Sequence, residues 1–121
     1  MIVEVSADIT TDASGDATVY LGSRLRGRVH AIKYTKGTLD AGTDLVITGE
    51  TTGVAILTDS PAADEWFYPR AFPNAVTTGA AGSVAAEDVH VLNERIKVVV
   101  AQGGNALAGS IKAYVDTPPP Y

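Results

Sequence analysis

The chain has 121 residues, 45% hydrophobic and 19% charged, which places it among one-domain globular chains rather than disordered ones. Nine Lys and Arg against fourteen Asp and Glu give a net charge of -5, which opposes general adhesion to nucleic acid or to an anionic membrane surface. The absence of cysteine removes disulfides, thiolate metal ligands and a cysteine nucleophile together.

At the start of the chain, Val3, Val5, Ala7 and Ile9 alternate with Glu4, Ser6 and Asp8, the period-two pattern of a half-buried strand over residues 2–9. These residues lack the basic start and apolar run of a secretory signal, so none is expected, and no stretch is long and apolar enough for a membrane span. The turn formers Thr11-Asp12-Ala13-Ser14-Gly15-Asp16 lead into renewed alternation over residues 17–21, which predicts a hairpin or a tight β-arch. Arg24, Arg26 and Arg28 share one face of an extended chain and read as a solvated stripe. Residues 27–35 alternate again, with Arg28, His30, Ile32 and Tyr34 on one side and Val29, Ala31, Lys33 and Thr35 on the other, so neither face is purely apolar.

Two β-branched runs at 43–49 and 53–58, joined by Glu50-Thr51-Thr52, predict an antiparallel pair. From Asp59 to about Asp88 the chain holds Pro61, Pro69, Pro73, Gly79, Gly82 and many alanines. That segment reads as loop with one short strand at most, and loops so long are usually functional or ordered by a partner. Residues 92–101 predict a central strand. Residues 109–116 predict a final strand, after a Gln102-Gly103-Gly104-Asn105 turn whose glycines serve positive φ. No apolar 3.6-residue period is present. The expected fold is therefore all-β: an antiparallel β-sandwich, jelly-roll or immunoglobulin-like, of about seven to eight strands with one long irregular loop. It forms a single domain over residues 1–116, followed by a Pro-rich tail at 117–121.

Only His30 and His90 could act as bases at neutral pH, and no nucleophile-elbow pattern surrounds Ser6, Ser14, Ser60 or Ser110. No catalytic residue is expected, and the chain does not read as an enzyme. No zinc spacing links His30 and His90 to Asp40, Asp44 or Asp88, no alternating acidic calcium loop occurs, and Gly103-Gly104 lacks the Lys-Ser or Lys-Thr pair of a phosphate loop. Neither metal nor cofactor is expected.

The informative local feature is Glu65-Trp66-Phe67-Tyr68-Pro69-Arg70, which holds the single tryptophan. Such rings either cover an open end of the sandwich or anchor a protein interface, where aromatics and Arg dominate the contact energy. The candidate interface residues are Trp66, Phe67, Tyr68, Arg70, Phe72 and, in the tail, Tyr121. Pro118-Pro119-Pro120-Tyr121 matches the Pro-Pro-x-Tyr ligand of WW domains, but a stiff tail lying on a neighbouring subunit or in solvent is the simpler reading.

Four ordered segments carry a family resemblance: Arg28-Val29-His30-Ala31-Ile32-Lys33-Tyr34, residues 42–53 (GTDLVITGETTG), Tyr68-Pro69-Arg70, and residues 95–105 (RIKVVVAQGGN). Together they resemble a group of small tailed-bacteriophage proteins encoded among head and neck genes. The resemblance implies a virion component without enzymatic activity, present in many copies and cytoplasmic in the host until assembly. It implies no catalytic residue. The function it leads us to expect is a bacteriophage virion structural protein, first a capsid decoration or cement protein that stabilises the major capsid shell. Its partners would be the major capsid protein or other virion proteins and further copies of itself in a trimer or ring, without nucleic acid or membrane. The alternative is a head-to-tail neck, connector or tail component. Ranked below both is a carbohydrate-binding module on the virion surface, with Trp66 or Tyr68 as stacking platform.

Overall fold

The alternation of apolar and polar residues becomes nine strands in the computed structural model, which describes residues 1–75, 77–83 and 85–118 and contains no helix among them. The strands are β1 (Ile2–Thr10), β2 (Ala17–Thr35), β3 (Asp44–Gly49), β4 (Ala55–Asp59), β5 (Glu65–Phe67), β6 (Arg70–Ala71), β7 (Glu87–Asp88), β8 (His90–Ala101) and β9 (Ala108–Asp116). Seven of them share one antiparallel hydrogen-bond network in the order β1-β9-β2-β8-β3-β4, with β5 also on β2. The two-residue strands β6 and β7 pair separately.

A single long strand folds that network into a sandwich. Residues 17–28 of β2 pair with β8, whereas residues 28–35 pair with β9 on one side and β5 on the other. One layer is thus β2-β8-β3-β4 and the other β1-β9-β2-β5, with β2 passing between them, the way sandwiches make corners with a bent strand. The sequence suggests two separate strands at 17–21 and 27–35, but the structure joins them into one strand of 19 residues. Gly22 and Gly27, at φ of 71° and 140°, bend the chain instead of ending it. Register shifts fall between Leu21 and Leu25, between Leu25 and Arg26, and between Val29 and Ala31. The last of these accounts for the mixed faces of 27–35. Val29 is buried in one phase and Ile32 and Tyr34 in the other, because a bulge at exposed His30 shifts the alternation by one residue.

The core lies between the layers. Leu21, Val29, Ile32 and Tyr34 of β2 meet Leu45 and Ile47 of β3, Ile96, Val98 and Val100 of β8, and Ile111, Ala113 and Val115 of β9. Each fully buried Val, Leu or Ile contributes about 1.5–3 kcal/mol. The Thr11 hydroxyl donates to the Gly104 carbonyl at 2.6 Å and accepts from the Leu107 N–H at 2.9 Å, which ties the 11–16 arch to the turn before β9. Thr117 is buried and its N–H donates to the Met1 carbonyl at 2.8 Å, so the packed domain extends one residue beyond Asp116.

Tyr34 is fully buried, and among the described residues its hydroxyl is the one buried side-chain polar atom without a hydrogen-bond partner. Burial pushes its pKa above the ordinary tyrosine value, against an opposing effect of the neighbouring Thr43 hydroxyl. Tyr34→Phe removes a desolvated hydroxyl without orphaning a partner. Chemical denaturation should therefore show stability unchanged or raised by about 1 kcal/mol. A loss of that size would show that the hydroxyl is bonded after all.

Candidate interface on the aromatic loop

Residues 59–88 leave β4 and return to β8, and their first half is anchored to the sandwich. The Asp64 carboxylate accepts the Lys36 N–H at 2.9 Å, and β5 then adds to β2 with Phe67 opposite Ile32 and Trp66 opposite Lys33. Alternation over these few residues divides the aromatic pair. Phe67 points inward and is 9% exposed, while Trp66 points outward and is 47% exposed. Phe67 is therefore a core residue, and its expected place at an interface is corrected: it holds β5 against the sandwich.

Trp66 is positioned by side chains from two neighbouring strands. Its ring lies 5.7 Å from that of Tyr114 at an interplanar angle of 31°, and the Lys33 ammonium sits 5.5 Å from its centroid. Offset aromatic contacts and a cation over the ring hold an indole in place without burying it. Further along, Tyr68 is 59% and Phe72 46% exposed. Arg70 lies between them but faces its own chain. Its Nε is 3.0 Å from the Asp88 carboxylate, and a guanidinium nitrogen donates to the Pro69 carbonyl at 2.7 Å. It clamps β6 to β7, so the available surface is that of Trp66, Tyr68 and Phe72. Tyr121 lies outside the described residues.

The other candidate positions are not assembled into a reactive site. Arg24, Arg26 and Arg28 are all exposed, and Arg28 reaches Asp116 at 3.4 Å. Arg28 and His90 border two shallow concavities of about 420 and 550 Å³, the first shared with Glu87 and Asp88 and the second with Asp116 and Thr117. Neither concavity sets a histidine against a serine. No group of three or more His, Asp or Glu side chains able to hold a metal ion occurs among the described residues.

One constellation escapes a reading of the sequence. Asn93, at φ 60°, sits where the β2–β8 register shifts, and the next residue, Glu94, turns inward and is buried. Its carboxylate accepts the N–H groups of Thr51 and Thr52 at 2.7 and 2.8 Å and the Thr52 hydroxyl at 2.6 Å. The Thr52 hydroxyl chiefly, with the backbone donors, holds its pKa below the usual carboxylate range against desolvation. Next to it, Arg95 makes a two-pronged pair with Glu50 and lies 4.0 Å from the centre of the Tyr20 ring. These groups satisfy one another and fasten the β3–β4 turn to β8. The one signal in the sequence is an Asn-Glu step interrupting strand alternation.

No family model, curated protein or solved structure matches the chain.

Proposed function

We propose that this chain is a structural protein of a tailed-bacteriophage particle, a decoration or cement protein that binds the outside of the major capsid shell and braces neighbouring capsomers. The carrying observation is the surface of Trp66, Tyr68 and Phe72, three large rings left about half exposed on one loop. Aromatic anchors of this kind supply most of the energy at protein interfaces, and an indole held by Tyr114 and Lys33 loses little freedom on binding. The sequence resemblance to head and neck proteins of such particles supports the same role. The long loop, where a sandwich scaffold presents variable contacts, fits a protein that sits on other proteins.

Copy number tests this role. Quantitative mass spectrometry of purified particles should find the chain in amounts comparable to the major capsid protein. A ring's worth of copies would replace the cement role with a neck, connector or tail component, and absence from particles would refute a virion role altogether.

The anchor has its own test. Trp66→Ala should weaken binding to capsid shells by about 2 kcal/mol, roughly thirtyfold, measured by co-sedimentation. The isolated domain should lose less than about 1 kcal/mol, because surface substitutions remove little packing. Equal losses in both measurements would reduce Trp66 to a packing residue.

A further inference from the structure

Beyond the aromatic residues the loop continues into a hairpin arm that the domain does not use. All nine basic and fourteen acidic residues of the chain, and both histidines, lie outside residues 71–86. Every described residue from Ala71 to Glu87 is exposed. The arm nevertheless has a shape. Asn74 bridges to Ala81, the Ala75 N–H donates to the Ala80 carbonyl at 2.9 Å, the Gly82 N–H donates to the Pro73 carbonyl at 3.0 Å, and the Asn74 side-chain amide donates to the Gly79 carbonyl at 2.8 Å. Its root is fixed by the β6–β7 pair, the Arg70–Asp88 ion pair and buried Val89, whose carbonyl accepts the Val29 N–H at 2.8 Å. The arm is therefore aimed, yet none of its described residues is buried. An isolated two-stranded hairpin is marginal in water and gains stability by packing against something else.

The sandwich also has an uncovered edge of matching chemistry. Sheet edges are normally blunted by charge. Along the open edges of this fold, β1 carries Glu4 and Asp8, β5 begins at Glu65, and residues 17–28 of β2 carry Arg24 and Arg26. The β4 edge differs: Ala55-Ile56-Leu57-Thr58 has no charge before Asp59, and among the described residues β4 pairs only with β3. Copies that each carry a net charge of -5 repel one another in general, so an uncharged arm and an edge whose one charge, Asp59, stands at its end are the parts that approach most readily.

We infer that the hairpin arm beyond Phe72 of one copy of this chain, paired through residues 73–75 and 80–82, adds as a strand to the β4 edge of the next copy. The two surfaces lie at opposite ends of β8. The arm root, β7, runs directly into His90, whereas β4 joins through β3 to residues 96–101. About eight residues of strand, roughly 25 Å, separate them. Each copy can therefore give an arm and receive one at once, which makes the contact heterologous and closes it into a ring when the rotation allows. One such contact covers less than the roughly 800 Å² per partner of a stable interface, so two contacts per copy in a closed ring are what hold the assembly.

This association does not depend on the virion role and is measured on the purified chain alone. Native mass spectrometry and light scattering should show a closed oligomer at micromolar concentration. Replacing residues 73–82 with two glycines should give a monomer, and so should the edge variant Ala55→Lys/Thr58→Lys, both with β circular dichroism intact; Thr58→Lys alone serves if the double variant unfolds. Mixing the armless and edge variants restores only one arm and one edge per pair, so it should give at most a one-to-one heterodimer far weaker than the wild-type ring and never a closed oligomer. A wild-type chain that stays monomeric, an armless chain that still assembles, or a mixture that forms the wild-type oligomer overturns the inference.

Discussion

Gly27→Ala is expected to destabilise the domain by about 3–5 kcal/mol in urea unfolding, from backbone strain added to overpacking. Gly27 sits at φ 140° where β2 leaves one layer for the other. A Cβ there would run into the Asp116 carbonyl and come within 3.1 Å of the Thr117 Cα. That carbonyl cannot yield, because Asp116 is in register with Ile2 on one side and Arg28 on the other. Gly53→Ala is the control. Its φ of 73° is also positive, but nothing lies within 4 Å of the added methyl, so only conformational strain of about 1–2 kcal/mol is expected. Similar losses at both positions would show that strain alone, and not the close approach of Gly27 to the Asp116 carbonyl, sets the cost.

Glu94→Ala is expected to cost about 1–2 kcal/mol, since it removes the buried carboxylate that accepts from the N–H groups of Thr51 and Thr52, whose own residues are exposed and regain water in part. The carboxylate also makes stability depend on pH. Its folded pKa lies below its unfolded value, so its contribution is fully present above the unfolded pKa and is lost as pH falls through the folded one. Glu50 is lowered as well, first by its hydrogen bond to Arg95, and Asp116 by its bond to the Met1 amino group. The wild-type loss on acidification is therefore a sum over these groups. Comparing wild type with Glu94→Gln in urea unfolding between about pH 7 and pH 3 isolates the Glu94 share. The gap between the two proteins should narrow at the acid end, and a constant gap would remove the carboxylate's charge from the explanation.

What the sequence made legible was extended chain with one face buried. β1, β8 and β9 stand close to their expected bounds, because β8 and β9 are paired on both sides and their alternation is unbroken where it faces the core. β2 was not legible as one strand. Glycines that usually punctuate a strand here bend one, and the bulge at His30 shifts the side-chain phase, so a period-two reading finds two mixed faces where there is one buried surface. The aromatic loop was visible as a cluster, but its partition was not: three residues of β5 are too few for alternation to separate Phe67 from Trp66. Arg70 looked like an anchor for a partner and proved to hold Asp88, eighteen positions away. Glu94 was missed because its partners, Thr51 and Thr52, come from a turn more than forty residues earlier.

The place of β9 between β1 and β2 sets the order in which the molecule can be made. Ile2 pairs with Asp116 and Thr10 with Ala108, so β1 has no strand to pair with until β9, about a hundred residues later, has been made. At about 5–20 residues per second that wait is on the order of 5–20 s. Half of the sandwich, the layer of β1, β9 and the end of β2, cannot close until β9 has been made. Through that interval β1 is an unpaired strand, and the like charges of Glu4 and Asp8 along it disfavour its pairing with the same strand of another copy.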